Sequence, residues 1–275
     1  MTARLIASEE RRAVMGLGVT GQSVARWWRR QGSPFMALDT RSEMADSLSV
    51  RQAVGADAPL HFGDIDRSVL DGITELIVSP GIPLEHPLVQ YALENGVRVM
   101  GDIDLFVAAS TVPVIGITGS NGKSTVTALL ASMISACGRQ VAVGGNFGTP
   151  ALDLLDQAAD FYVLELSSFQ LERAKSLNLA VATVLNLSAD HLDRHGSLPR
   201  YHHAKHKIFQ GALAVVANRA DSLTLPLLED GARQILWRPS EPDLEEFGIR
   251  SLDGSAHVCR GFTPLLPVTD LQLKG

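Results

Sequence analysis

The sequence predicts two α/β units in series, each built on a parallel sheet, with the division near residue 110. Three observations carry this. Ala13 to Met15 is a short apolar run followed by Gly16-Leu17-Gly18-Val19-Thr20-Gly21, a full G-x-G-x-x-G, and by a helical pattern from Gln22 to Gln31. Val112 to Ile117 is a β-branched run followed by Gly119-Ser120-Asn121-Gly122-Lys123-Ser124-Thr125 and a helical pattern to about Gly138. Between and beyond these, short apolar strands alternate with helical stretches, which is the rhythm of βαβ units.

Composition agrees with that outline. A chain of 275 residues fits two domains on a prior of about 150 residues each. Hydrophobic residues make up 45%, enough for packed cores, and no apolar run reaches the ~20 residues that span a bilayer. Polar and charged residues follow Met1, so no secretory signal is read and a cytoplasmic location is expected. Cys137 and Cys259 lack metal-ligand spacing and read as incidental thiols of a reducing compartment. A net charge of −6 without a basic block argues against nucleic-acid binding.

In the first unit, residues 1–110, the strand, glycine loop and helix are followed by a second strand, Pro34 to Leu38, ending in Asp39. That is the opening of a Rossmann-like sheet. Its physics requires a diphosphate at a helix N-terminus and a hydroxyl or base near the acid, which suits a uridine diphosphate sugar as well as a dinucleotide. Glu75 to Val78 is a strand entering the rigid turn Ser79-Pro80-Gly81, where ligands sit in open sheets. A helix over His86 to Asn95, a strand over Val97 to Met100 and a helix from about Ile103 to Ala109 complete the unit.

In the second unit, residues 111–275, the loop at 119–125 reads as a nucleotide triphosphate site, against the plainer role of an ordinary strand-to-helix turn. Glycines let backbone N–H groups approach phosphate, the helix start presents unsatisfied donors, Lys123 reaches the terminal phosphates and the Ser124 hydroxyl suits Mg²⁺. The strict pattern begins with a glycine where this chain has Ile117, so the loop is a shorter variant. Gly144-Gly145-Asn146 after the strand Val141 to Val143 suggests close approach of a ligand, with a simple turn as the alternative. Phe161 to Leu164 is a buried strand delivering Glu165, in the usual place for a Mg²⁺ ligand in phosphate-loop proteins, against the plainer role of a surface acid. Val181 to Leu185 ends in Asn186-Leu187-Ser188-Ala189-Asp190-His191-Leu192-Asp193. Such a string is commonly solvated loop, but a neutral imidazole oriented by a carboxylate also binds metal. The convergence of Lys123, Glu165 and His191 on strand ends of one sheet favours function. A helix from about Leu198 to Phe209 carries Tyr201-His202-His203-Ala204-Lys205-His206-Lys207, whose pattern reads as a solvated basic face. Leu213 to Ala217 is a strand, and from Gln234 onward short strands and turns carry no readable function.

These motifs resemble the Mur ligases. The resemblance rests on G-L-G-V-T-G-Q-S (16–23), D-T-R (39–41), S-P-G-I (79–82), G-D-I-D-L-F (101–106), T-G-S-N-G-K-S-T (118–125), G-G-N (144–146), L-E-L-S-S-F-Q-L-E (164–172), N-L-S-A-D-H-L-D-R (186–194) and Y-H-H-A-K (201–205), in order over the first two hundred residues. G-L-G-x-T-G, D-T-R, S-P-G-I and L-E-L-S-S-F-Q-L-E point to the branch that adds glutamate. Departures are Ala189, where the family often has an acid, and Asp104, where it often has Glu.

The resemblance implies an ATP-dependent amide ligase of cytoplasmic peptidoglycan precursor synthesis, joining D-glutamate to UDP-N-acetylmuramoyl-L-alanine through an acyl phosphate. It implies that the first unit holds the UDP substrate, with Val19, Thr20 and Gly21 near the diphosphate, Asp39, Thr40 and Arg41 near the uracil, and Ser79 and Gly81 adding contacts. Gly119, Ser120, Asn121, Gly122, Lys123, Ser124 and Thr125 bind ATP. Ser124 and Glu165 hold one Mg²⁺, and His191 with Lys205 a second, Lys205 as a carbamate made with CO₂. Asn146 and His191 also meet the muramoyl substrate. Catalysis falls to Lys123, Glu165, His191 and Lys205. The family continues past Leu271 to Gly275, a strand-like stretch, with further helices of the ATP domain and a third, Rossmann-like domain. The expectation is therefore an incomplete ATP domain with an uncovered apolar face, binding the UDP substrate but making little ligated product. An NAD(P)-dependent oxidoreductase, a non-catalytic nucleotide-binding module, a sister ligase adding another amino acid and a folylpolyglutamate synthase are the alternatives. Oligomeric state is not legible in the sequence.

Overall fold

The computed structural model describes residues 11–175, 177–227 and 232–271; the strand-like stretch expected over 271–275 falls, from residue 272 on, outside them. The chain forms two compact units. The first contains residues up to Ala109 together with Gly148–Gln157 and Arg173–Lys175, and the second contains the remainder.

The first unit runs β1 (Arg12–Met15), α1 (Val19–Arg30), β2 (Phe35–Asp39), α2 (Leu48–Val54), β3 (Leu60–Phe62), β4 (Glu75–Val78), α3 (Pro87–Glu94), β5 (Arg98–Met100) and α4 (Asp102–Ala109). Its five strands are parallel in the order β3-β2-β1-β4-β5. The strand order reverses beside β1, so the glycine loop after β1 lies at the switch point where open α/β sheets bind ligands. α1 begins at Val19, earlier than the apolar pattern indicates, because Gly18 already accepts from Gln22 N. It buries Gly21, Val24, Ala25 and Trp28, an i, i+3, i+4, i+7 stripe, with Trp28 packed on Phe35. α3 starts with His86 as its cap, accepting from Leu88 N, and Pro87 in the first turn.

The third glycine of the loop has a steric cause. A Cβ on Gly21 would lie 1.9 Å from the Gly16 carbonyl oxygen and 3.1 Å from Ser79 Oγ. Gly21→Ala is therefore expected to destabilise the first unit by about 3 kcal/mol, the upper part of the overpacking range. Thermal unfolding measures it; an unchanged Tm would mean that the helix does not need this close approach.

The second unit comprises β6 (Val114–Thr118), α5 (Lys123–Ala136), β7 (Val141–Gly145), β8 (Phe161–Glu165), α7 (Ser168–Arg173), β9 (Val181–Val184), α8 (Leu192–His195), α9 (Leu198–His206), β10 (Ala214–Asn218), β11 (Arg233–Trp237), β12 (Phe247–Leu252), β13 (Ser255–Arg260) and β14 (Thr263–Pro267). The last residue of α7 and all of α6 (Ala151–Leu154) group with the first unit, where Arg26 pairs with Asp153. The sheet order is β14-β13-β12-β11-β10-β9-β6-β8-β7. Strands β7 to β12 with β6 are parallel, and β12, β13 and β14 form an antiparallel meander. β6 sits between β8 and β9, so the loops leaving these three strands open at one edge. α5 buries only Thr127 and leaves Leu129 and Met133 exposed, as Phe147 is beyond β7. Among the described residues no helix is long and apolar enough to cross a membrane.

Candidate functional site: a phosphate loop and its three strand ends

The phosphate loop is held from behind. Gly122 caps α5 in the left-handed region at φ 79°, a conformation that glycine adopts without cost. Ser120 N donates to Asn186 O, and Asn121 and Asn186 exchange hydrogen bonds at 2.9 and 3.0 Å. Ser120 Oγ meets Tyr201 Oη at 2.9 Å and accepts from Ser188 N at 3.0 Å. Lys123 Nζ donates to Gly119 O and Ser120 O, each at 3.0 Å, so its charge lies over the loop. Thr125 is exposed in the first turn of α5.

Beside the loop, Ser124 Oγ donates to Glu165 Oε2 at 2.7 Å, and Asn146 Nδ2 donates to Glu165 Oε1 at 3.1 Å. Glu165 is 4% exposed. The glycines before Asn146 have a local reason: a Cβ on Gly145 would lie 2.4 Å from Glu165 O, and the same approach lets Asn146 N donate to that oxygen. Ser124 and Glu165 offer hard oxygen donors at the start of a phosphate-loop helix, a donor set that fits Mg²⁺. His191 stands past the end of β9 in the left-handed region at φ 49°, half exposed, with Nε2 3.5 Å from Asp190 and its ring 5.0 Å from Phe169. Among the described residues no three His, Cys, Asp or Glu side chains gather as a metal site.

Lys205 corrects the pattern-based expectation of a solvated basic face. It is 2% exposed, its Nζ donates to Gly119 O at 2.9 Å and to Thr118 Oγ1 at 3.2 Å, and it lies 4.9 Å from the Tyr201 ring centre. Burial, and next the charge of Lys123, lower its pKa from 10.5 to about 7. α9 turns Lys205 toward the phosphate loop, whereas His202, His203 and His206 line a separate cavity of about 850 Å³.

In the first unit the glycine loop is fixed by side chains that the sequence offers as ligand contacts. Ser79 Oγ donates to Gly16 O at 2.6 Å. Asp39, wholly buried, accepts from Leu17 N at 2.6 Å and from Arg41 N, Nε and a terminal guanidinium nitrogen. Burial works against its charge, but these bonds outweigh it and hold the carboxyl below its usual range. Val19 is exposed, Thr20 half-buried, and Gly81 faces open space. Thr40 lines a cavity of about 660 Å³ with Gly63, Asp64, Arg67, His86 and Tyr91. Those cavity residues come from segments around β3 and α3 that carry no motif. Asn186 and Tyr201 were legible only as members of longer strings, whereas Ser167 and Gln170 carry a local signal. They form a reciprocal capping box, Ser167 N to Gln170 Oε1 and Gln170 N to Ser167 Oγ, both 3.1 Å, the S-x-x-Q start of α7.

Comparison with known proteins meets this geometry domain by domain. The Mur ligase MurD-like N-terminal domain matches residues 10–101, and the Mur ligase middle domain matches residues 117–235. The chain belongs to the Mur ligase family. Among its Mur ligase relatives, the UDP-N-acetylmuramoylalanine–D-glutamate ligase of Pseudomonas aeruginosa is 47% identical over 271 residues, covering 98% of this chain and 60% of that protein. The enzyme of the same name from Marinobacter nauticus is 43% identical over 271 residues, again 98% and 60%. The chain thus spans about 60% of the length of these relatives. The crystal structure of UDP-N-acetylmuramate:L-alanyl-gamma-D-glutamyl-meso-diaminopimelate ligase from Neisseria meningitides shares the fold. Its TM-score is 0.58 at 16% identity, over 97% of this chain and 88% of that one.

Proposed function

We propose that this Mur ligase chain binds UDP-N-acetylmuramoyl-L-alanine and ATP for the amide-forming addition of D-glutamate. The observation that carries the reading is the Ser124–Glu165 oxygen pair beside the phosphate loop, with the buried Lys205 amine on the same loop. The names of the glutamate ligases that match at 43–47% identity support the choice of substrate. The bonds that occupy Asp39 weigh against a dinucleotide, whose ribose needs a carboxylate free to accept from it. Thr40 and the cavity beside it suit the uracil, with Asp39 positioning Arg41, and Thr20 with the start of α1 suits the diphosphate. We assign the first domain to residues 1–110 and the ATP domain to 111–275.

In this reading the terminal carboxylate of the UDP substrate attacks the γ-phosphorus of ATP. A carboxyl O–P bond forms, the bond to the β-phosphate oxygen breaks and ADP leaves. The amine of D-glutamate then attacks the acyl carbon, phosphate leaves and the amine loses a proton. The main barrier is repulsion between two anions, so the residues act by charge and alignment. Lys123 and the backbone donors of residues 119–125 bind the phosphates. Ser124 and Glu165 would hold Mg²⁺, with His191 and Lys205 at a second position; the ion neutralises phosphate charge. Lys205 serves there as a carbamate: its lowered pKa supplies a neutral amine at neutral pH, the nitrogen forms a bond to the carbon of CO₂, and one amine proton is released to solvent. Asn146, fixed by Glu165, faces the muramoyl group.

Calorimetric titration of this chain with UDP-N-acetylmuramoyl-L-alanine and with Mg²⁺–ATP tests the reading. Saturable binding of both is expected. Binding of NADH in place of the UDP substrate would sink it.

A further inference from the structure

The strand order leaves one problem of positioning that backbone pairing does not solve. Glu165 ends β8 and His191 follows β9, and β6 lies between these strands. The ladder ties each of them to β6 but not to each other, so the two loops must be spaced by side chains above the phosphate loop.

His195 occupies that place. It ends α8 one turn after His191 and is 4% exposed. Its Nε2 shares a hydrogen bond with Ser168 Oγ at 3.0 Å, and Ser168, itself 2% exposed, opens α7 three residues after Glu165. Nδ1 lies 3.7 Å from Glu172 Oε1 on the same helix, where Arg194 also pairs at 3.3 Å. Phe169 stacks on the His195 ring at 5.4 Å and 20° and also lies 5.0 Å from the His191 ring. The edge of His195 meets Tyr201 at 5.4 Å, and Tyr201 Oη holds Ser120 of the phosphate loop. One imidazole therefore touches elements following β8 and β9 and the tyrosine that braces the loop after β6.

We propose that His195 is a positioning residue that sets the spacing between the Glu165 and His191 sides of the nucleotide site. It touches neither phosphate nor metal; it acts through Ser168 and Phe169 on one side and the α8 turn on the other. Apolar packing alone would fill the space but leave Ser168 Oγ buried without its partner, and a buried polar group so stranded shifts toward water or another acceptor. The inference rests on the reading of this edge as the Mg²⁺–ATP site.

The test compares the affinity of this chain for the non-hydrolysable analogue AMP-PNP with and without Mg²⁺, alongside Tm. For His195→Ala the gain in affinity on adding Mg²⁺ is expected to fall about tenfold, the equivalent of one buried hydrogen bond, while metal-free binding is unchanged. Ser168→Ala, which removes the other end of the bond, is expected to reproduce the loss. His195→Gln, whose Nε2 can replace the imidazole nitrogen, is expected to recover most of it. A merely structural role would lower Tm and leave the Mg²⁺-dependent gain intact, and that result in either alanine variant overturns the proposal. Should His195→Ala fail to fold, Ser168→Ala decides. A wild-type chain that binds no Mg²⁺–AMP-PNP would refute the nucleotide-site reading instead.

Discussion

On the proposed reading, replacing Lys123 by alanine in a full-length ligase carrying these residues is expected to slow ATP-dependent acyl-phosphate formation by about 10²–10³, the usual consequence of removing a charge-stabilising donor at the reacting centre. The lysine opens α5, and its Nζ lies 3.0 Å from two carbonyl oxygens of the phosphate loop, where the terminal phosphates of a bound triphosphate would draw it. Lys205 is poorly suited to substitute, since burial disfavours its ammonium form. Affinity for the UDP substrate should not change, because Thr20, Thr40 and the cavity beside β3 belong to the other unit. Acyl-phosphate trapping and a titration of the UDP substrate measure the two sides. A comparable loss of UDP-substrate affinity would show that the work is not divided between the units in this way.

Lys205→Ala is the second large effect: in the same full-length ligase, on the carbamate proposal, a loss of about 10² or more in the ligase reaction is expected, partly restored by added formate or acetate. A small carboxylate can stand where the carbamate oxygens would be. The pH dependence follows from the lowered pKa. Below about 7 the Lys205 amine is protonated and cannot add CO₂; above it the neutral amine is available, so carbamate content should rise as pH passes upward through 7. The same shift affects folding. Between about 7 and 10.5 the unfolded chain holds a proton on this lysine that the folded chain has released, so stability increases with pH across that window. A ¹³C carbamate resonance in labelled bicarbonate, followed against pH, checks the first statement. Its absence together with an active Lys205→Ala variant would end the carbamate assignment.

Local machinery is written in the chain's own order. A strand, a glycine-bearing turn and a helix start are contiguous, so their pattern already specifies where backbone N–H groups converge, and both glycine loops stand where the spacing puts them. Glu165 ends β8 and His191 follows β9 because a buried strand must end at a sheet edge, and parallel strands end at the same one. The short α2 and β3 leave no signal in the sequence, being brief and without a motif. The hydrogen-bond partners that each of the candidate site groups finds within the protein come from the tertiary structure. Asp39 and Ser79 read as ligand contacts in the sequence; in the fold the Asp39 carboxylate accepts from Leu17 and Arg41, and the Ser79 hydroxyl donates to Gly16. Lys205 sits in a string of basic residues that reads as solvated, yet the rotation of α9 buries it against Thr118 and Gly119. Side-chain pattern records periodicity along one element, whereas the charge state of a lysine or the freedom of a carboxylate depends on atoms brought in from distant segments. That is why the loops could be read in order along the chain, and why the chemistry of Lys205 and the place of His195 could not.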